Sequence, residues 1–299
     1  MIRFLKDWTL PVAMCVGILG YHLFIRLGFL TPYLIFVMLF LTFSKISLSD
    51  LKPKPLHLWL LLIQVTGTFV VYYLFRGYDE VLAQAVMVCV ICPTATSAAV
   101  ITSKLGGSAA SVSTYTFLAN IATAIVVPLF FPVIEPHADV RFYHSVFIIL
   151  NKVFILLICP FILAWMIRRF IPKFHTQLLS MHELAFYLWA VALTIVTAQI
   201  MSSLMNYTAD WVIAGLIAFS TLVICCLQFF LGKTLGSIYN DRVSGGQALG
   251  QKNTILAIWM AHTYLNPLAA IGPGFYVLWQ NMVNSWQLWK KRKRSAQIK

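Results

Sequence analysis

The chain alternates long apolar segments with short polar connections, and the alternation recurs ten times. The apolar segments lie near residues 8–25, 31–48, 56–75, 80–103, 109–133, 142–167, 183–204, 210–232, 245–265 and 267–289. A helix needs about 20 apolar residues to cross the hydrocarbon core of a bilayer, and each segment is close to that length. The connections carry turn and charge signals such as Lys52-Pro53-Lys54-Pro55, Arg76-Gly77-Tyr78-Asp79, Glu135-Pro136-His137, Arg168-Arg169 and Asn240-Asp241-Arg242. The pattern predicts an all-α integral membrane protein with ten transmembrane helices.

The positions of lysine and arginine predict how these helices are oriented. With both termini on the cytoplasmic side, 17 of the 22 basic residues lie in inside connections or the tail, three lie outside, and Lys152 and Lys252 lie within spans. Cytoplasmic loops of membrane proteins carry an excess of basic residues. We therefore expect a multi-pass protein of a bacterial-type inner (plasma) membrane, with N- and C-termini in the cytoplasm.

Ten spans divide into two sets of five, and an odd number of spans per half requires the halves to be inverted relative to each other. This arrangement is typical of inverted-repeat secondary transporters. We predict a single transmembrane domain over 1–299, with a first five-helix repeat at 1–133, a second at 142–289 and a basic cytoplasmic tail at 290–299.

Composition excludes several classes of function. The chain is 60% hydrophobic and 10% charged, whereas soluble proteins carry about 25% charged residues. The net charge of +13 includes six basic residues in the tail, which favours anionic membrane lipid over nucleic acid as the partner. All six cysteines lie in apolar segments as expected of free thiols, so no cofactor or metal is predicted. Motifs of membrane enzymes are lacking, so no enzymatic activity is predicted. The oligomeric state is left open, and a monomer is one of the options.

The fourth span contains a proline in the run Cys92-Pro93-Thr94-Ala95-Thr96-Ser97. Proline removes a backbone donor, and small hydroxyl residues can bond to the groups that a broken helix leaves open. Span five adds polar side chains, among them Ser113 and Thr116. Two interpretations are open: close helix packing explains the small residues, whereas a binding site also explains the proline.

The ninth span begins with Gly245-Gly246-Gln247-Ala248-Leu249-Gly250-Gln251-Lys252-Asn253. Burying the last three side chains unpaired would cost roughly 1–3 kcal/mol each, and more for the lysine. The glycines are expected to let the backbone unwind beside them. Because this segment and Pro93 occupy corresponding positions of the two halves, we predict a transport site at these two breaks. The alternative is that the span starts after Lys252, which then lies in a cytoplasmic loop.

These motifs resemble those of the bile acid:sodium symporter family over nearly the whole chain. The resemblance rests on Lys45-Ile46-Ser47-Leu48 before Pro53, on Cys92-Pro93, on Gly250-Gln251-Lys252-Asn253 and on Trp279-Gln280-Asn281. It implies a core domain in which broken helices four and nine cross at mid-membrane, beside a panel of spans one, two, six and seven. It also implies a secondary transporter that moves a small organic anion by alternating access. The substrate classes implied are bile-acid-like compounds, keto acids, pantoate-like compounds and sulfonates.

The resemblance also assigns site residues. It matches Thr96, Ser97, Asn253 and Asn281 to substrate contacts and Gln64 to a glutamine that helps to hold the second sodium ion. Polar neighbours extend both sets: Thr94 and Gln280 join the substrate site, and Lys252, Gln251, Ser113 and Thr116 join the coupling-ion or charge site.

The chain departs from the family at the sodium ligands. The family's serine and asparagine of helix four align with Ala98 and Ala99, its helix-nine glutamate aligns with Ala248, and its helix-nine glutamine aligns with Lys252. Two unit charges 4 Å apart interact by about 4 kcal/mol at an effective dielectric near 20, so a charged Lys252 would oppose cation binding. We expect that sodium coupling is lost. Lys252 then either stands in for the cation or carries a proton, since burial favours a neutral amine.

Other functions are kept as alternatives. One is a sodium-coupled symporter with rearranged ion sites. Another is an arsenite-type metalloid exporter of the related family, which also has a cysteine beside a proline in helix four, as Cys92 is here, but needs an acidic residue in helix nine that this chain lacks. A channel would show a continuous polar stripe, whereas the polar residues here gather at two breaks.

Overall fold

The computed structural model describes residues 2–46, 51–135, 142–181, 184–206 and 211–297. The helices up to the middle of the chain are α1 (Ile2–Leu19), α2 (Tyr21–Phe24), α3 (Thr31–Phe43), α4 (Pro55–Phe75), α5 (Glu80–Ile91), α6 (Ala98–Leu105) and α7 (Ala109–Ile134). The later helices are α8 (Phe142–Leu157), α9 (Cys159–Phe170), α10 (Pro172–Ser180), α11 (Leu184–Asn206), α12 (Trp211–Ile238), α13 (Arg242–Gly250), α14 (Thr254–Tyr264) and α15 (Ile271–Gln297). Short 3-10 helices at Ile25–Leu30 and Pro267–Ala270 precede α3 and α15. Within the described ranges, the one β feature is an isolated bridge.

Each predicted span overlaps a helix or a pair of half-helices. Spans four and nine are the pairs α5–α6 and α13–α14, which are interrupted at residues 92–97 and 251–253. The second span starts earlier than predicted, because residues 21–30 are already helical and run into α3 as one segment, Tyr21–Phe43. The short helix α10 was not predicted. The predicted connection at Pro136-His137 and the end of the second span at residues 47–48 lie outside the described residues.

Six helical segments of the described chain are long and apolar enough to cross a membrane: Tyr21–Phe43, Pro55–Phe75, Ala109–Ile134, Phe142–Phe170, Leu184–Met205 and Trp211–Ile238. The halves of the two broken spans have 12 and 8 residues, and 9 and 11 residues. No half can cross a bilayer alone, since a complete crossing needs about 20 residues. Length and composition thus fit a multi-pass membrane protein.

The first of two structural units comprises Met1–Ser47, Val127–Trp211 and Ile255–Ala270. It contains the helices of predicted spans one, two, six and seven, together with the end of α7 and α14 from Ile255 onward. Helix α11 packs against α1, α2 and α3, and α9 packs against α3. Helices α1 and α11 approach closely at Gly17, where a β-carbon would come within 2.9 Å of the Thr197 side chain.

The second unit comprises Leu48–Val126, Val212–Thr254 and Ile271–Lys299. Helix α5 packs against α4 and α15, while α13 packs against α4 and α6. Buried side chains from α4, α7 and α13, including Leu60, Tyr115 and Leu249, form a shared apolar cluster. The interrupted residues of both breaks, 92–97 and 251–253, therefore belong to the second unit.

Close contact between α12 and α13 explains the glycines of the ninth span. A β-carbon on Gly232 would overlap the carbonyl oxygen of Gly245, and a β-carbon on Gly245 would overlap the carbonyl oxygen of Gly232. Gly245 and Gly246 lie within α13, which continues to Gly250. The prediction that these two glycines let the backbone unwind is therefore wrong, because their role is to allow helix packing.

Replacing Gly232 by alanine is expected to destabilise the protein by about 1–3 kcal/mol, because the added methyl group has no space against α13. Gly215→Ala on the same helix is the matched control, since a β-carbon there meets nothing within 4 Å. Melting temperatures in detergent measure both variants. Equal melting temperatures for the two variants would contradict the proposed helix contact.

Candidate functional site: the crossing of two broken helices

The first break lies between α5 and α6 and leaves the last carbonyl groups of α5 without helical donors. The backbone departs from helical geometry at Cys92, with φ −55° and ψ 137°. Pro93 has no N–H that could bond to the Cys89 carbonyl, where a regular helix would place one. These carbonyls need other donors, since lipid offers none.

The second break lies between α13 and α14 and pairs with the first. Gln251 ends α13 with an extended backbone, φ −97° and ψ 106°. Thr94 and Lys252 then form an antiparallel bridge. Two hydrogen bonds of 2.9 Å complete the bridge, from the Ala95 N–H to the Gln251 carbonyl and from the Asn253 N–H to the Pro93 carbonyl. Each break thus supplies donors and acceptors to the other.

The Lys252 side chain is buried, with 1% of its surface exposed. Its Nζ donates to the carbonyl oxygen of Val90 at 2.8 Å. Val90 lies in the last turn of α5, where the helix dipole places partial negative charge and favours a cation. Helix α14 does start after Lys252, but Lys252 is buried and does not lie in an exposed loop.

Two of the predicted substrate residues hold the second break in place. The Gln280 side chain accepts from the Lys252 N–H at 2.8 Å through Oε1 and donates to the Lys252 carbonyl at 3.3 Å through Nε2. The Thr94 hydroxyl donates to the Ala248 carbonyl at 2.6 Å. Gln280 and Thr94 are both buried, so these polar atoms bind backbone groups.

Gln64, predicted to help hold an ion, is bonded entirely to protein groups. Its Nε2 donates to the Ile91 carbonyl at 2.7 Å and to the Cys92 carbonyl at 3.3 Å. Its Oε1 accepts a hydrogen bond of 2.6 Å from the Tyr115 hydroxyl. The Gln64 oxygen that a cation could use therefore already accepts one hydrogen bond.

Polar side chains that reach the protein surface lie at the start of α6. Ser97 is exposed and Thr96 is half-buried. Gln251 donates from Nε2 to the Ser97 hydroxyl oxygen at 2.9 Å, which leaves the hydroxyl hydrogen available to an acceptor. Ser97 is the N-cap of α6 but makes no capping hydrogen bond with its side chain. Within the described chain, the buried Gln251 Oε1 has no hydrogen-bond partner.

The other predicted site residues differ in their relation to the crossing. Asn253 is buried in the second break, and its carbonyl accepts from the Cys92 thiol at 2.9 Å. Asn281 donates to a carbonyl one turn earlier on α15, and Thr116 donates likewise on α7. Ser113 is half-buried on α7. A hydrogen bond therefore connects Asn253 to the crossing. The hydrogen bonds donated by the Asn281 and Thr116 side chains stay within their own helices.

Several residues that complete the site were not predicted. The Tyr276 hydroxyl donates to the Gly250 carbonyl at 2.8 Å and accepts from Gln228 at 3.0 Å. The Thr123 hydroxyl donates to the Ile91 carbonyl at 2.9 Å. A buried polar side chain in an apolar span signals that it has a partner. That signal does not say which group the partner is.

Comparison with known proteins adds one match. A family model described as the Sodium Bile acid symporter family matches residues 29–209. The matched range contains Gln64 and the first break and ends before the second break. A search among curated proteins finds no match.

Tyr115→Phe is expected to destabilise the protein by about 1–3 kcal/mol, because it leaves the buried Gln64 oxygen without a donor. Tyr78→Phe is the control, since Tyr78 is 68% exposed in the turn before α5. Unfolding in detergent, followed by tryptophan fluorescence, measures both variants. A loss in Tyr115→Phe no larger than in Tyr78→Phe would show that this hydrogen bond contributes little.

Proposed function

The protein belongs to the sodium bile acid symporter family, whose model matches more than half of the chain, and from this premise we propose that it carries a small organic anion across the membrane by alternating access. The family and the apolar helices make it an integral multi-pass membrane transporter of the bile acid/anion symporter type. The proposed substrates are the classes named above: bile-acid-like compounds, keto acids, pantoate-like compounds and sulfonates.

The proposed architecture has ten crossings in two inverted five-helix repeats, with both termini in the cytoplasm. Its support is the position of the two breaks, which fall in the fourth helix of each predicted repeat. Transporters with inverted repeats bind substrate where discontinuous helices meet near the bilayer midplane. The antiparallel bridge between Thr94 and Lys252, which joins two discontinuous helices, supports this proposal.

The proposed anion site is the start of α6. The N-terminal end of a helix carries partial positive charge and backbone N–H groups that suit a carboxylate or sulfonate. The exposed Ser97 hydroxyl adds a donor there, because its oxygen already accepts from Gln251. Thr96 is half-buried beside it, and Lys252 follows Gln251 in the chain. Proposed substrate contacts are therefore Thr96 and Ser97.

The observation that carries the proposal of sodium independence is the bond from the Lys252 ammonium to the Val90 carbonyl. The helix dipole favours a cation at the C-terminal end of α5, and here a lysine side chain of the protein itself provides the cationic group. The Gln64 oxygen already accepts a hydrogen bond from the Tyr115 hydroxyl. Three positions that align with sodium ligands of the family are alanines here, at 98, 99 and 248. We infer that Lys252 replaces the coupling ion, either by standing in for its charge or by carrying a proton.

The alternatives have less support. Rearranged sodium sites would need several oxygen ligands near a positive ammonium, which opposes a second cation. Metalloid export would need an accessible thiol at Cys92. That thiol is buried and donates to the Asn253 carbonyl.

We expect one of the proposed anions to raise the melting temperature of the purified protein equally in sodium and in choline buffer, since binding to the folded state stabilises it. The probes are a bile acid, pantoate, a keto acid and a sulfonate. Lys252→Met is expected to abolish the shift because it removes the buried charge. Lys152→Met is the control, since Lys152 is exposed on α8. A shift that requires sodium and persists in Lys252→Met would sink the proposal.

A liposome assay with an imposed proton gradient separates the two roles left open for Lys252. Accumulation of the stabilising anion that follows the gradient in the native protein, and ceases to follow it in Lys252→Gln, assigns Lys252 as the proton carrier. Flux that ignores the gradient assigns a permanently charged lysine. Lys152→Gln again controls for the loss of one positive charge.

A further inference from the structure

The second unit contains a basic cavity away from the helix crossing. The cavity has a volume of about 420 Å³ and is lined by Lys104, Leu288, Lys291 and Arg292. Three of the four lining side chains are cationic, and none is acidic. The volume of the cavity falls within the range of small-ligand pockets. A cavity of this volume is larger than a single ion needs.

The C-terminal end of α6 lies at the cavity and is capped by a residue of α15. Helix α6 ends at Leu105 and is followed by the C-cap residue Gly106, whose φ of 86° lies in the left-handed region that favours glycine. The Lys291 ammonium on α15 donates to the Lys104 carbonyl at 2.9 Å, so it caps the end of α6. This bond joins α6 and α15 beside the residues that line the cavity.

The surroundings of the cavity indicate the source of its ligand. On the same helix, Trp286 and Trp289 are both more than half exposed. The Lys290 and Lys293 ammonium groups lie 5.0 Å and 5.5 Å from the centres of these rings. Exposed tryptophan beside lysine is typical of the level of lipid headgroups. The cavity therefore opens where a headgroup can enter it.

We propose that this cavity is a discrete binding site for the phosphate of an anionic phospholipid headgroup. Lys104 and Arg292 bind the phosphate oxygens, with the guanidinium able to donate two parallel hydrogen bonds. Leu288 contacts the apolar part of the lipid next to the headgroup. The site differs from a diffuse attraction of the basic tail, because among the tail cations whose side chains are described, Lys291 and Arg292 line it and Lys290 and Lys293 do not.

The test compares two double variants that remove the same charge. Lys104→Gln with Arg292→Gln removes two lining residues, while Lys290→Gln with Lys293→Gln removes two cations that lie over tryptophan rings outside the lining. Lys291 is left unchanged, because its loss would also remove the cap of α6. Purified full-length protein in detergent is titrated with phosphatidylglycerol, with phosphatidylcholine and with inorganic phosphate, and melting temperature is measured.

We expect phosphatidylglycerol to raise the melting temperature of the native protein in a saturable way, and phosphatidylcholine and inorganic phosphate to have little effect. The Lys104/Arg292 double variant is expected to need roughly tenfold more phosphatidylglycerol for half the effect, whereas the Lys290/Lys293 double variant keeps the native titration. Native mass spectrometry should show one bound phosphatidylglycerol fewer in the first variant only.

Three results would overturn the proposal. Equal weakening in both double variants would show a diffuse charge effect. Equal stabilisation by inorganic phosphate would assign the cavity to a free anion. No saturable effect of phosphatidylglycerol, together with equal lipid counts in all three proteins, would exclude the site.

Discussion

Backbone groups that leave a helix inside a membrane have no water to bond to, and this constraint governs the second unit. Two helices break there, and each break would leave several carbonyls and N–H groups open. The bridge between Thr94 and Lys252 pairs part of one set with the other. Side chains bond to much of the remainder: Gln64 and Thr123 to the end of α5, and Tyr276 to the end of α13. Several of the buried polar side chains of this unit are therefore explained by the breaks themselves.

Lys252 differs from the other donors because its group can be charged. A carbonyl at a helix C-terminal end favours a cation, and such an end would suit either a bound ion or an ammonium. A bound ion would need several oxygen ligands at short distance, but the Gln64 oxygen already accepts from Tyr115. The ammonium needs only acceptors, and the Val90 carbonyl is one at 2.8 Å. The local chemistry therefore suits a lysine better than a free cation.

The breaks could be predicted from the sequence because their causes are local. Pro93 lacks a donor, and a run of three polar residues at 251–253 cannot stay in a lipid-facing helix unpaired. The partners could not be predicted, because they depend on which helices pack together. Tyr276 and Gln228 are far apart in sequence yet bond to each other. Gly245 shows the same limit: a glycine next to a break suggests unwinding, and only its contact with Gly232 identifies it as a packing residue.

Under the proposed function, a lysine and a sodium ion differ in one respect that bears on transport, because only the ion can leave. With a permanently charged Lys252, the empty carrier holds a buried charge that has no counter-anion, while a bound monoanion would neutralise it. Since an unpaired buried charge is costly, the loaded carrier would change conformation more readily than the empty one. Such a carrier would exchange anions. If Lys252 instead loses its proton when the anion leaves, the empty carrier is neutral and can return alone, so net transport follows the proton gradient. The protonation state of one buried side chain thus selects between exchange and proton-coupled transport.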